Sequence, residues 1–286
     1  MSIDAPRVPP QRAANHGEVA NTIRVITLGQ FAVLRDGVEI PHPDWQSRKA
    51  RNLFKLLVCR HGRSVPREVA ADLLWPEQPG PPGNRFSVAL STVRKVLDPS
   101  HRHPADHFVC AEDGAVRLRC ENVEIDIASF LRLSRDATVA VSRGDWSRAE
   151  DLLRSAEQLY AGEFLEEDQY VDWAVPCREE ARSAALGVLR MLAHVSQSRG
   201  DPLATVAHLQ RILELDPYDE AAWLDLIAVE SAHRHHGEAR RLHTVYNLRM
   251  LEIGVAAAPL PPVSMVGPGV SNESFKPLPF RDPKGV

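Results

Sequence analysis

NRFSVALSTVRKVL, residues 84–97, is the stretch on which the fold turns. At about 100° per residue, Phe86, Leu90, Val93 and Leu97 fall within one narrow arc, the stripe an amphipathic helix buries. The opposite side carries Asn84, Arg85, Val88, Ser91, Thr92 and Lys95, with Ser87 and Arg94 at the border. No Asp or Glu occurs from Gly83 to Leu97, whereas carboxylates ordinarily alternate with cations on a solvated helix face. Cations that reach guanine or phosphate, small hydroxyls and one apolar methyl group suit the DNA major groove.

The flanking residues supply the frame for such a helix. Upstream, Ile23, Val25, Ile26 and Leu28, then Phe31, Val33 and Leu34, are β-prone, and Asp36-Gly37 is a hairpin turn signal. A helix is expected from Ser47, with Ala50, Leu53, Phe54, Leu57 and Val58 inward and Gly62 as its stop. A second helix is expected with Ser64 at its N-cap and Val69, Leu73 and Leu74 inward, ending at Trp75-Pro76. A Pro/Gly-rich connection, Glu77 to Gly83, leads into the 84–97 helix, which Asp98-Pro99 stops. Phe108-Val109-Cys110, the turn Glu112-Asp113-Gly114, and Ala115–Leu118 then read as a hairpin. Strands, three helices and a hairpin are the order of a winged helix-turn-helix.

From residue 123 onward the pattern is helical. Gly144-Asp145, Gly200-Asp201 and Gly237-Glu238 open similar stretches, with the texture of tetratricopeptide repeats, whose hairpins cover one another's apolar faces by stacking. The fold class is therefore mainly α, an α+β winged helix followed by an all-α tetratricopeptide-like domain. The expected divisions are a tail over 1–22, the winged helix over 23–122, the helical domain over 123–258 and a Pro-rich tail over 259–286.

Residues 23–122 carry 15 Lys and Arg against 11 Asp and Glu, while 123–286 carry 17 against 25. A basic module joined to an acidic one suits a protein that meets phosphate with one end. No apolar run is long enough to span a membrane, and the first twenty residues lack the apolar stretch of a secretory signal. Cys59, Cys110, Cys120 and Cys177 lie far apart with no Cys-x-x-Cys pair, so reduced thiols in a cytoplasm are expected.

KARNLFKLLVCRHGRSVPREVAADLLWPE (49–77), NRFSVALSTVRKVL, EIDIASFLRL (124–133) and LQRILELDPYDEAAW (209–223) carry a family resemblance. Residues 23–122 resemble the OmpR-type winged helix of the Streptomyces antibiotic regulatory protein family, and 123–258 the bacterial transcriptional activator domain that follows it there. The resemblance implies a cytoplasmic, nucleoid-associated activator that binds direct repeats in promoter DNA and recruits RNA polymerase holoenzyme. It admits a homodimer on DNA, and a secondary-metabolite or a cell-wall and stress gene set. Base contacts are expected from Arg85, Val88, Ser91 and Thr92. Phosphate contacts are expected from Arg48, Lys49, Asn84, Arg94, Lys95, Arg117 and Arg119, and a polymerase-facing loop from Glu77, Gln78, Gly80 and Gly83. Two departures stand out. The wing tip, Glu112-Asp113-Gly114, is acidic, and the end of the helical domain, Leu251 to Pro259, has reduced acidic character.

Other constellations point elsewhere less strongly. His101, His103 and His107 lie in a connector without the four-ligand spacing of zinc, and His233, His235 and His236 in a link between helices. Glu163, Glu166, Glu167 and Asp168 read as a solvated acidic turn. No phosphate loop, catalytic triad order or metalloprotease motif is present, so neither an enzyme nor a cofactor or metal is expected. The alternative function is a helical-repeat interaction scaffold whose winged helix binds protein instead of DNA.

Overall fold

β1 (Ile23–Ile26) buries Ile23 and Val25 and exposes Arg24, the alternation of a strand with one face on a core. The computed structural model to which it belongs describes residues 22–78 and 83–259. β1 pairs antiparallel with β2 (Ala32–Arg35), which pairs with β3 (Val38–Glu39) across the Asp36-Gly37 turn. On its other edge β1 meets β7 (Val123–Ile125) in parallel, giving the order β3-β2-β1-β7. A parallel pair requires a long crossover, and here the whole winged helix is that crossover.

The register Val25↔Ile125 brings Asp126 beside the end of β1. Its buried carboxylate accepts from Thr27 N–H (2.7 Å), Leu28 N–H (2.9 Å) and Thr27 Oγ1 (2.6 Å), and from its own neighbour Ile127 N–H (2.7 Å). Filled lone pairs are what make a buried carboxylate tolerable.

α1 (Arg48–Cys59) starts at Ser47, whose hydroxyl accepts from Ala50 N–H, and buries Ala50, Leu53, Phe54, Leu57 and Val58 as expected. It also buries Lys55 and Cys59. The second helix differs from expectation. Val65–Pro66 forms β4, which pairs with the wing, and α2 runs Arg67–Leu74 with Pro66 before it and no side-chain cap from Ser64. β-branched Val65 finds a strand partner in Val116, and Pro66, lacking an N–H, sits at the last position before the helix. α2 thus buries Ala70, Ala71 and Leu74, while Val69 is exposed and Leu73 half-buried. α3 (Gly83–Leu97) buries Phe86, Leu90, Val93 and Leu97, with Ala89 and Val96 beside them. β5 (Val109–Glu112) and β6 (Ala115–Leu118) make the wing hairpin, and β6 lies between β5 and β4.

α4 (Asp126–Ser142) and α5 (Trp146–Leu159) form a helical hairpin, and α6 (Val175–Ser198) follows. α7 (Pro202–Leu215), α8 (Glu220–Ala232) and α9 (His236–Glu252) complete the chain of helices. Gly144 and Gly200 adopt φ of 75° and 68°, the left-handed turn that ends a helix, and Asp145 and Asp201 then cap α5 and α7. The third expected repeat start is different: Gly237 lies inside the first turn of α9, whose N-cap is His235. α8 and α9 close over Trp223, Ile227, Ala239, Tyr246 and Met250.

The described residues fall into two compact units that divide between Val188 and Leu189. The expected boundary at 122/123 lies within the first unit, because β7, Asp126 and the 164–178 segment are built into the N-terminal half. The two expected tails lie almost wholly outside the described residues.

Candidate nucleic-acid interface

α3 is held by its apolar stripe, so its other side is a surface. Asn84, Ser87, Val88, Ser91 and Lys95 are exposed, and Val88 retains 56% of its accessible area. Arg85, Thr92 and Arg94 are half-buried. No carboxylate projects from this helix, so nothing on it neutralises Lys95 or repels phosphate.

The cations expected to meet DNA divide into two groups. Arg48 at the start of α1 and Lys95 are exposed, and Arg117 is half-buried on β6 opposite Cys110. The others are engaged inside the protein. Lys49 Nζ donates to the Leu74 carbonyl oxygen at the end of α2 and lies 3.4 Å from Glu77 Oε1. Arg94 donates from Nε and Nη2 to the Val109 carbonyl oxygen, at 3.2 and 2.9 Å, which ties α3 to the wing. Arg119 donates to the Asp106 carbonyl and carboxylate, at 2.9 and 3.1 Å.

Arg85 has an intermediate position. Nη1 donates to Gln78 Oε1 (2.9 Å) and Nη2 to the Gln78 carbonyl oxygen (2.6 Å), both exposed bonds, and the guanidinium lies 5.6 Å from the Trp75 ring centre. Lys49 Nζ lies 5.9 Å from that same ring. Trp75 and two cations therefore anchor the α2–α3 connection. Glu77 and Gln78 are exposed on it, Gly83 is the first residue of α3, and Gly80 lies outside the described residues. The Glu77 carboxyl is held below its usual range by a backbone hydrogen bond and by Lys49. Thr92 Oγ1 donates to the Val88 carbonyl oxygen (3.0 Å).

Beside Lys95 a small open cleft is lined by Arg35, Asp44, Gln46, Thr92 and Pro99, among others. Arg35, whose Nη1 donates to the Val96 carbonyl (2.9 Å), is a cation near α3 that sequence reasoning missed. Its place on β2 is fixed by tertiary packing and leaves no local signal.

Below α3, burial works against the Asp98 carboxylate, but N–H donors of His103 and Arg102 and the nearby histidines hold its pKa below the ordinary value. His103 and His107 stack at 4.0 Å. The donor atoms of Asp106, Cys110 and Glu112 lie within 4.8 Å of one another, but Asp106 is engaged by Arg119.

The acidic turn expected to be solvated is partly a buried clamp. Lys55, 1% exposed, reaches both Glu167 and Asp168, and Arg51 lies 3.0 Å from Glu167. One turn further along α1, Cys59 is joined by a disulfide to Cys177 at the start of α6, with Cα atoms 6.2 Å apart. This corrects the expectation of four reduced thiols. The two cysteines are 118 residues apart in sequence, and only the return of the chain to the end of α1 makes them neighbours. Cys110 and Cys120 are free.

The bacterial transcriptional activator domain family matches residues 125–259. The regulatory protein AfsR of Streptomyces coelicolor is 34% identical over 168 residues, which cover 56% of this chain and 16% of AfsR. The regulatory protein DnrI of Streptomyces peucetius is 26% identical over 222 residues, covering 73% of this chain and 79% of DnrI. This chain thus spans a small part of one relative and most of the other. Among solved structures, Mycobacterium tuberculosis EmbR, determined in complex with a low affinity phosphopeptide, superposes with a TM-score of 0.66 at 22% identity. The superposition covers 83% of this chain and 62% of EmbR, and it establishes a shared fold. Among the described residues, no helix is long and apolar enough to cross a membrane.

Proposed function

We propose that this chain, which matches the bacterial transcriptional activator domain family over residues 125–259 and is similar to the Streptomyces regulators AfsR and DnrI, is a member of the Streptomyces antibiotic regulatory protein family and a sequence-specific transcriptional activator that reads promoter direct repeats with α3 and recruits RNA polymerase. The observation that carries this reading is the outward face of α3: exposed Asn84, Val88, Ser91 and Lys95 on a helix without a carboxylate. In the proposal Arg85, Val88, Ser91 and Thr92 meet base edges, Arg85 exchanging its exposed bonds to Gln78 for a guanine. Arg48, Asn84, Lys95 and Arg117 meet phosphates. Lys49, Arg94 and Arg119, expected from sequence to touch phosphate, instead hold α1, α3 and the wing in register. The Glu77–Gly83 connection, anchored on Trp75, is the polymerase-facing element, and the protein works in the cytoplasm at the nucleoid, with two copies on adjacent repeats.

Footprinting on the promoter nearest its own gene, repeated across a salt series, tests this reading. Protection of two or more equally spaced repeats, weakening steeply with salt, supports it. Retention that is indifferent to sequence and to salt overturns it and favours the protein-binding scaffold.

A further inference from the structure

We propose that Cys59 and Cys177 form a reversible redox modification site, a dithiol that peroxide converts to the disulfide joining α1 to α6. Two observations carry the assignment. First, the partners are built for both states. The bonded pair spans 118 residues between two helices, and each sulfur also has an acceptor in place. The Cys59 carbonyl oxygen is 3.0 Å from Sγ of Cys177, and the Trp173 carbonyl oxygen is 3.6 Å from Sγ of Cys59. A reduced pair would therefore keep hydrogen-bond partners at the same positions.

Second, the two sulfurs differ in electrostatic setting. Cys177 is the third residue of α6, a helix of 24 residues, where the N-terminal dipole favours a thiolate. Cys59 is the last residue of α1, where the dipole disfavours one. Cys177 is consequently the sulfur assigned to react first; its own side chain is buried, 7% exposed, next to exposed Val175 and Pro176.

The Cys177 thiolate attacks one peroxide oxygen, the O–O bond breaks, hydroxide leaves, and Cys177 becomes a sulfenic acid. The Cys59 sulfur then attacks Sγ of Cys177. The sulfur–oxygen bond breaks, water leaves with the Cys59 proton, and the disulfide forms. The two thiols lose two electrons together, and peroxide accepts them. The cytoplasmic setting rests on the proposed function, and there a disulfide is ordinarily transient or sensing.

The test uses the full chain, reduced and then exposed to hydrogen peroxide, and reads mass without reference to DNA, so it stands apart from the footprint. The expected result is loss of two hydrogens, a single Cys59–Cys177 linked peptide, and recovery by dithiothreitol. The oxidised form should melt about 5–10 °C higher, because a cross-link closing so long a loop restricts the unfolded chain. Cys59→Ser should accumulate one oxygen on Cys177, trapped by dimedone, while Cys177→Ser should not react at that rate. Circular dichroism of both variants establishes that they are folded. Oxidation that lands on Cys110 or Cys120, equal reactivity of both serine variants, or a bond that resists dithiothreitol in the native protein overturns the proposal.

Discussion

Lys55 in the middle of α1 forms a buried ion pair with Asp168, 113 residues further along the chain. Its ammonium also reaches Glu167 and lies 4.6 Å from the Phe31 ring centre, so one side chain joins the N-terminal sheet, α1 and the 166–168 turn. Removing one member of such a cluster leaves uncompensated charge. Lys55→Ala should cost about 3–5 kcal/mol, and Lys55→Met less than Lys55→Ala, measured by urea unfolding. Equal stability of wild type and Lys55→Ala would show that the carboxylates are solvated.

The same contacts bear on domain separability. A fragment of residues 23–122 lacks β7, the Asp126 carboxylate that satisfies Thr27 and Leu28, and both partners of Lys55. It should unfold at a markedly lower urea concentration than the full chain, with β1 losing amide protection first in hydrogen exchange. A fragment as stable as the intact protein would show that residues 23–122 fold without these contacts.

The local periodicities carried most of this architecture. The α3 stripe, the Ser47 cap, the inward residues of α1 and the wing turn at Asp113-Gly114 are each set by neighbours within a few residues, and they are found where the pattern puts them. What the sequence left hidden depends on distant partners. β4 exists because Val65 meets Val116, β7 because Val25 meets Ile125, and neither pairing has a local signature. Lys55 had only a faint one, a single charge within the apolar run from Leu53 to Cys59. Among the expected phosphate contacts, charge and helix position alone could not separate Lys95, which faces outward, from Arg94, which holds the Val109 carbonyl.

Two histidines should make stability fall on mild acidification. Burial lowers the pKa of His61, opposed by Glu180 and aided by Arg63 and Arg135. Burial, followed by the adjacent His103, lowers that of His107. A folded pKa below the unfolded value of 6.5 means that the unfolded chain binds protons first. Stability should therefore be constant above that value and decline as pH falls below it. Melting temperature followed from pH 7.5 to about 5 should show this slope, and His61→Gln and His107→Gln should each flatten it. An unchanged slope in both variants would assign the loss to other groups.

Replacing the 77–82 connection by Gly and Ser of equal length should lower transcription while leaving DNA affinity within about three-fold, provided Trp75 and Arg85 are kept. The reason is that Lys49, Trp75 and Arg85 hold the ends of the connection, whereas Glu77 and Gln78 are exposed. In vitro transcription alongside binding isotherms decides it. Parallel loss of both would mean that the connection only positions α3.

The division of labour on α3 gives the sharpest expectation. Phosphate contacts act on every sequence alike and release counterions, whereas base contacts discriminate. Lys95 is exposed on α3 and pairs with no carboxylate among the described residues, so Lys95→Ala should weaken cognate and random DNA together and flatten the salt slope by about one unit. Arg85→Ala should cost about 1–3 kcal/mol on the cognate repeat and far less on random DNA, because its bonds to Gln78 are solvent-exposed and can be exchanged for guanine. Arg94→Ala should behave differently from both. Its guanidinium holds the Val109 carbonyl, so its loss frees the wing from α3 and lowers melting temperature as well as affinity. Leu90→Ala, which empties a core position, should remove about 2–5 kcal/mol of stability and serves as the unfolding reference. Affinity on both DNAs, at two salt concentrations, together with circular dichroism separates these outcomes. Should folded Arg85→Ala and Lys95→Ala bind as wild type does, α3 is not the reading helix, and a protein partner becomes the better occupant of its exposed face.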